Sequence, residues 1–214
     1  LKEEESLSNG YAETDSKKEP EFLKEGLVAY YPFNGNAKDE SGNGHDGEVN
    51  GAKLVNDRND ISGQAYSFDG EKDYIRIPNA SDFHAINLTI SAWYKASSFY
   101  GHGHNPIIQK PAPNHNYPLY QWSLYLKGDQ YPSQSGSGFF GLGVSQKGDT
   151  YAYSDLLAER FNGVWHQIVG CINSTDKHIN LFLNGEKLMQ TAMPDSTAHE
   201  YSTDIYIARH GNII

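Results

Sequence analysis

From Gly26 onward, apolar and polar residues alternate over short stretches that are separated by turns rich in glycine, asparagine and aspartate. In residues 88–96, every second residue from Leu88 to Tyr94 is apolar, whereas Trp93 falls on the other side. This period of two predicts β-strands with one buried side. Ten strands are predicted, at residues 27–33, 65–68, 74–77, 88–96, 120–126, 139–144, 165–172, 179–183, 186–189 and 205–208.

The connections between these stretches favour an antiparallel arrangement. Asn184 and Gly185 provide the two positive φ angles that a two-residue hairpin requires. Pro32 places the first strand at a sheet edge or a bulge. No convincing helix interrupts the strands, so their spacing is typical of a β-sandwich or a closed barrel. Residues 1–25, of which about half are charged, are predicted to be a linker or lead-in, and residues 26–214 one folded domain.

Composition excludes several classes of function. The net charge of -10 provides no basic surface for nucleic acid or for an anionic membrane. No apolar stretch is long enough to insert into a membrane, and a secreted form would have lost its signal segment. The single cysteine, Cys171, lies in a predicted strand, where a small buried hydrophobe is expected rather than a catalytic thiol.

Five segments, in order, carry a resemblance to a known family: residues 26–47, 65–78, 88–94, 165–169 and 179–185. Together they resemble bacterial laminin-G-like jelly-roll domains of the concanavalin-A-like superfamily. The resemblance implies an all-β fold, a two-sheet antiparallel jelly-roll sandwich with six or seven strands in each sheet. It also implies structural calcium and a secreted or cell-surface location. Trp93, Trp122 and Trp165 all lie on predicted strands, so core packing is expected for the three.

One departure from the family concerns the last strand. Such domains usually end in a further acidic strand that pairs beside the first, whereas the sequence given ends at Ile214. The predicted domain therefore lacks this strand, unless the fold is completed in another way. An exposed sheet edge would favour association with another chain.

The glycine-rich loop of residues 39–46 is the candidate metal site. Calcium (Ca2+) takes six to eight oxygen ligands, which closely spaced carboxylates, amides and carbonyls can supply. By position in the family motif, the resemblance implies Asp39 as the first ligand. The further candidates are Ser41, Asn43 and Asp46. The alternative is a loop of side-chain-capped turns that binds no metal.

A candidate ligand-binding segment spans residues 97–117. Aromatic rings can stack on the apolar side of a sugar while amides bond its hydroxyls. The residues with this chemistry are Phe99, Tyr100, His102, His104, Asn105, His115, Asn116 and Tyr117. The alternatives are an insertion that packs its own aromatic rings, or a transition-metal site formed by three of the histidines. A smaller ligand loop at residues 129–138 offers only Tyr131 for stacking.

Catalysis is the least favoured reading. Laminarinase-like relatives carry a Glu-x-Asp-x-x-Glu spacing on one strand face, and no predicted strand here has it. The sequence therefore predicts a non-catalytic module of a secreted or cell-surface protein that binds a carbohydrate or glycan-linked ligand. The main alternative is a structural or adhesion module that binds a surface protein, and a glycoside hydrolase is the remote one.

Overall fold

The structure is a computed structural model that describes residues 24–78, 80–83, 87–96, 104–113, 120–127, 138–145, 148–154, 163–193 and 200–209. Within these residues it contains thirteen strands and a short 3-10 turn at Ala80–Asp82. The strands are β1 (Glu48–Asn50), β2 (Lys53–Val55), β3 (Ala65–Ser67), β4 (Tyr74–Ile77), β5 (Thr89–Tyr94), β6 (His104–Pro111), β7 (Tyr120–Lys127), β8 (Gly138–Ser145), β9 (Gly148–Ser154), β10 (His166–Asn173), β11 (His178–Leu183), β12 (Glu186–Ala192) and β13 (Ile205–Ile207).

The strands form two main antiparallel sheets. One sheet has seven strands in the order β1-β4-β13-β6-β7-β8-β9, and the other has four in the order β12-β11-β10-β5. A separate hairpin pairs β2 with β3. The predicted all-β sandwich is confirmed. The second sheet has four strands in the described part of the chain, fewer than the resemblance implied. No helix among the described residues is long and apolar enough to cross a membrane.

The core lies between the two main sheets and follows from the alternation along the strands. On β10 and β11 every second residue is buried, which places Ile168 and Leu181 inside. Trp122, Leu124 and Leu126 of β7 point into the same core cluster, as their spacing predicted. Burying one such aliphatic or aromatic side chain stabilises a fold by about 1.5–3 kcal/mol.

The predicted first strand, residues 27–33, is wrong, because this segment belongs to neither sheet. Side chains of the next loop bind its backbone instead of a neighbouring strand. The N–H of Tyr30 donates to Asp39 Oδ1 at 2.9 Å, and the carbonyl of Val28 accepts hydrogen bonds from Ser41 Oγ and Asn43 Nδ2. A pattern of apolar residues predicts extended chain here, but it does not reveal that side chains replace the partner strand.

A buried lysine joins the 3-10 turn to the seven-stranded sheet. Lys110 on β6 is fully buried, and its Nζ donates to the carbonyls of Ala80 at 2.7 Å and Phe83 at 3.3 Å. The Phe83 carbonyl also accepts hydrogen bonds from Gln121 Nε2 and Trp122 Nε1. Burial lowers the pKa of Lys110 below its usual range. Three donors from two strands therefore hold this carbonyl against the sheet.

Candidate functional site

The four candidate calcium ligands lie together, but they bind one another and the chain. Asp39 Oδ1 accepts hydrogen bonds from the N–H groups of Tyr30 and Ser41, both at 2.9 Å. Asp39 Oδ2 accepts from Ser41 Oγ at 2.8 Å and from the N–H of His45 at 3.1 Å. Burial raises the pKa of the Asp39 carboxyl, but these hydrogen bonds together bring it below its usual range. Four donors occupy the lone-pair positions that a carboxylate offers.

The remaining candidates are engaged in the same network. Asp46 Oδ1 accepts from the N–H of Asp39 at 2.9 Å, and Asn43 Nδ2 donates to the carbonyls of Leu27 and Val28. In the part of the chain that the structure describes, no group of three or more His, Cys, Asp or Glu side chains is arranged to hold a metal. A cation at Asp39 would have to displace N–H donors, so this geometry favours the metal-free alternative. Calcium binding stays a prediction.

The variant Asp39→Asn distinguishes calcium ligation by Asp39 from hydrogen bonding within the chain. The amide nitrogen would face two hydrogen-bond donors, so we expect a loss of about 1–3 kcal/mol in the free energy of unfolding. Because the Asp39 pKa is lowered from 3.8 in the folded state, its contribution is present above pH 3.8 and is lost as the pH falls through the folded pKa. Denaturant unfolding with calcium and with a chelator, for both proteins, measures this. If Asp39 ligates calcium, the loss of unfolding free energy in the variant is larger in calcium than in chelator. Equal losses in the two conditions indicate hydrogen bonding alone.

Most of the predicted ligand-binding segment lies outside the described residues. This applies to Phe99, Tyr100, His102, His115, Asn116 and Tyr117, and also to Tyr131 of the smaller loop. His104 begins β6, where its backbone pairs with Lys127. Asn105 is half-buried, and its Nδ2 donates to the carbonyl of Leu126 at 3.4 Å. A ligand site in this segment, with or without a metal, therefore stays a prediction.

The outward side of the four-stranded sheet is a second candidate surface, which the sequence reasoning missed. The strand register places polar and aromatic side chains in rows across β5, β10 and β11. We call this surface the Trp93 face and define it by Thr89, Ser91, Trp93, Gln167, Val169, Cys171, Asn173, His178, Asn180 and Phe182. Their side chains are exposed or half-buried, whereas the residues between them on β10 and β11 are buried.

Trp93 stands out on this face because it is 44% exposed. The Arg58 guanidinium lies 4.6 Å from the centre of its ring, and Gln167 is its partner across the strands. Gln167 Nε2 donates to Ser91 Oγ at 3.1 Å. Core packing was predicted for all three tryptophans, and it is correct only for Trp122. Trp165 is half-buried just before β10, so strand parity, rather than residue type, decides which indole is inside.

A depression of about 520 Å³ lies at the end of the Trp93 face away from Trp93. It is open to solvent, and its lining includes Asn87, Thr89, Cys171, Asn173, Asn180 and Phe182. The lining thus consists of three amides, two threonine hydroxyls, a thiol, an isoleucine and an aromatic ring. It contains no charged side chain among the described residues.

The outward side of the seven-stranded sheet has a different character. Its exposed part carries ion pairs, since Arg76 binds Glu48 at 2.8 Å and Asp204 at 2.7 Å. Further along this sheet the outward residues of β7 are buried; Gln121 is fully buried and bonds Glu200. The Trp93 face is therefore the open, largely uncharged surface of the described sandwich.

The strands do not place paired carboxylates where hydrolysis would need them. Among the described strands, β1, β9 and β12 each contain one acidic residue, Glu48, Asp149 and Glu186 respectively. None of the described strands contains two. A glycoside hydrolase of the usual kind needs an acid and a second carboxylate on either side of the scissile bond. The described strand faces do not provide this pair.

Comparison with known proteins defines the class. Residues 69–212 match the family described as the concanavalin A-like lectin/glucanases superfamily, laminin-G type. The chain belongs to this family, since the match covers more than half of its length. None of the curated protein sequences matches the chain.

Several solved structures have a similar fold. The binding domain of Paraclostridial Mosquitocidal Protein 1 has a TM-score of 0.63 at 18% identity, over 82% of this chain and 42% of that one. The botulinum neurotoxin serotype D binding domain has a TM-score of 0.60 at 19% identity, over 83% and 42%. Domain 4 of AbnA, an extracellular GH43 arabinanase from Geobacillus stearothermophilus in complex with arabinotriose, has a TM-score of 0.61 at 17% identity, over 85% and 82%. The chain spans less than half of the toxin domains. At these identities the likeness shows the fold alone.

Proposed function

We propose that this chain is a non-catalytic carbohydrate-binding module whose ligand lies on the Trp93 face. The observation that carries the proposal is an exposed indole beside amide and hydroxyl side chains, on strand positions that hold no carboxylate. A sugar presents an apolar side, which packs on an aromatic ring, and a rim of hydroxyls, which amides can bond as donors and acceptors. Gln167 and Ser91 stand next to Trp93 and provide these polar groups.

The absence of catalysis is supported by the same strands. The usual hydrolysis of a glycoside needs a carboxylic acid and a second carboxylate, and the strand positions of the Trp93 face hold neither. Arg58, which contacts Trp93, is permanently charged and cannot act as an acid or a base at ordinary pH. The Trp93 face can therefore hold a glycan, but it lacks the carboxyl pair that the usual hydrolysis requires.

Two relatives in fold indicate the kinds of ligand to consider. The arabinanase domain is described in complex with arabinotriose, which favours a glycan. A botulinum neurotoxin DC binding domain is described in complex with rat synaptotagmin II, so a surface protein is the second candidate partner. Both kinds of ligand are met outside cells, and we place this module in a secreted or cell-surface protein. Apart from Arg58, which contacts Trp93, the side chains of the Trp93 face carry no permanent charge, and this favours the glycan.

The test is a glycan array followed by calorimetry on the intact chain and on Trp93→Ala. We expect binding of at least one neutral glycan, and a loss of at least about tenfold in affinity, or ~1.4 kcal/mol, in the variant. Val49→Ala is the matched control, because Val49 is similarly exposed at 42% but lies on β1 of the other sheet. Silence on the array, with binding to a surface protein, would replace the glycan by the second candidate. Turnover of a polysaccharide would contradict the non-catalytic role.

A further inference from the structure

We infer that the Trp93 face binds an extended, neutral oligosaccharide, with a second contact site in the depression beside Asn180 and Phe182. This inference rests on the proposed function and adds the length and the chemical class of the ligand. It assigns the depression a role as the subsite that makes the module prefer chains over single sugars.

The register of the sheet sets the span between the two aromatic rings. Trp93 pairs with Gln167, and Phe182 pairs with Val169, two residues further along β10. Two strand spacings across and two residues along the sheet separate their Cα atoms by about 12 Å. Half-buried Val169 lies beneath the path between them. A single sugar ring is shorter than this Cα separation, so a chain of sugars suits both positions at once.

Asn180 is the lining amide whose oxygen has no hydrogen-bond partner among the described residues. Asn87 Oδ1 accepts hydrogen bonds from the N–H and the Oγ of Ser174, at 2.8 and 2.7 Å. Asn173 Oδ1 accepts from the N–H groups of Thr175 and Asp176, at 2.9 and 3.0 Å. These two amides shape the loop after β10.

In contrast, Asn180 Oδ1 is buried from solvent and accepts no hydrogen bond from the described residues. Buried polar atoms in folded proteins nearly always have a partner, so this oxygen is one that a ligand hydroxyl would satisfy once the amide of Asn180 turns towards the depression that it lines. Thr89, its near neighbour across β10, directs its own hydroxyl to Cys171 Sγ at 3.5 Å. Asn180 is therefore the residue that we assign to ligand recognition in the depression.

The uncharged lining of the depression favours a neutral sugar. A carboxylate or sulfate on the ligand would lose water there without meeting a cation among the lining residues. Beyond the lining lie charges of both signs: Asp176 accepts a hydrogen bond from Asn173 Nδ2 at 2.9 Å, and Lys187, the strand partner of Phe182, donates to Gln190 Oε1 at 3.3 Å. Hydroxyls, in contrast, can bond the amide without this cost.

The experiment measures affinity against ligand length. Linear oligosaccharides of arabinose, xylose, glucose and mannose, from the monosaccharide to the hexasaccharide, are titrated calorimetrically into the intact chain. For the sugar that binds, we expect affinity to rise with length until both rings are spanned and then to level off. Asn180→Ala should reduce the affinity of the longer chains about tenfold and leave the monosaccharide unaffected. Asn180→Thr, which keeps the propensity for a strand, should show the same loss of affinity for the longer chains. Asn50→Ala on β1 is the control.

The outcomes separate the inference from the proposed function. An affinity that does not depend on length or on Asn180, with binding still lost in Trp93→Ala, overturns the inference and leaves the proposed function standing. Equal binding of oligogalacturonate overturns the neutral class. Binding of none of these sugars overturns both. Melting temperatures measured on the same samples ensure that any loss comes from folded protein.

Discussion

Trp122→Ala is expected to lower the free energy of unfolding by about 3–5 kcal/mol, the range for truncating a large buried aromatic residue. The indole is 1% exposed, packs in the core between the sheets, and donates from Nε1 to the carbonyl of Phe83. The same replacement at Trp93 should change the free energy of unfolding by less than about 1 kcal/mol, since that ring lies at the surface.

Chemical denaturation of the two variants beside the parent chain measures this difference. The pair is matched, because both residues are tryptophans on strands of the same sandwich and both become alanine. We expect Trp122→Ala to lose stability and Trp93→Ala to lose binding. A large loss of stability in Trp93→Ala would mean that this indole supports the fold, and the Trp93 face would then lose its principal candidate contact.

Lys110→Ala is expected to cost about 2–4 kcal/mol, because it removes two charge-assisted hydrogen bonds and leaves a cavity on β6. Lys110→Met keeps most of the volume and removes a buried charge, so we expect it to remain within about 1.5 kcal/mol of the parent. Methionine leaves the Ala80 carbonyl without the ammonium, but Phe83 keeps its hydrogen bonds from Gln121 and Trp122.

The pH dependence gives Lys110 a distinctive signature. Because burial lowers its folded pKa below 10.5, the unfolded chain binds the proton more tightly in the interval between the two pKa values. The parent should therefore gain stability relative to Lys110→Met as the pH rises towards 10.5. Denaturant unfolding of both proteins across this range measures the difference, in which the other titrating groups cancel. A flat difference would show that the lysine is not perturbed by burial.

The fold could be read from the sequence largely because burial on one side of a strand imposes a period of two. The alternation in residues 88–96 and 179–183 correctly predicts which side chains face the core. Asn184 and Gly185 adopt the positive φ angles of 50° and 84° that their hairpin needs. In contrast, residues 27–33 resemble a strand by composition. Their backbone partners include the side chains of Asp39, Ser41 and Asn43, and such nonlocal side-chain bonds leave no periodic signal.

The candidate site was harder to predict for a related reason. Aromatic and amide residues clustered in sequence drew attention to residues 97–117, most of which lie outside the described structure. The Trp93 face is assembled from strands that are distant in sequence, so Trp93 and Phe182 become neighbours only through the register of β5, β10 and β11. Trp93 lies on the side of its strand opposite to the regularly spaced apolar residues, and this was the one local signal that it faces outward. The general preference for burying tryptophan outweighed this signal in the prediction.

Nitrogen-proton NMR spectra recorded during titration with a bound neutral oligosaccharide test the central claim most directly. Trp93 and Trp122 each give a separate indole N–H signal, and the Asn180 side chain gives an amide pair. If the Trp93 face is the carbohydrate site, the Trp93 indole and the Asn180 amide shift together while the Trp122 indole stays in place. Shifts confined to the seven-stranded sheet, with the Trp93 and Asn180 signals unmoved at saturation, would contradict it.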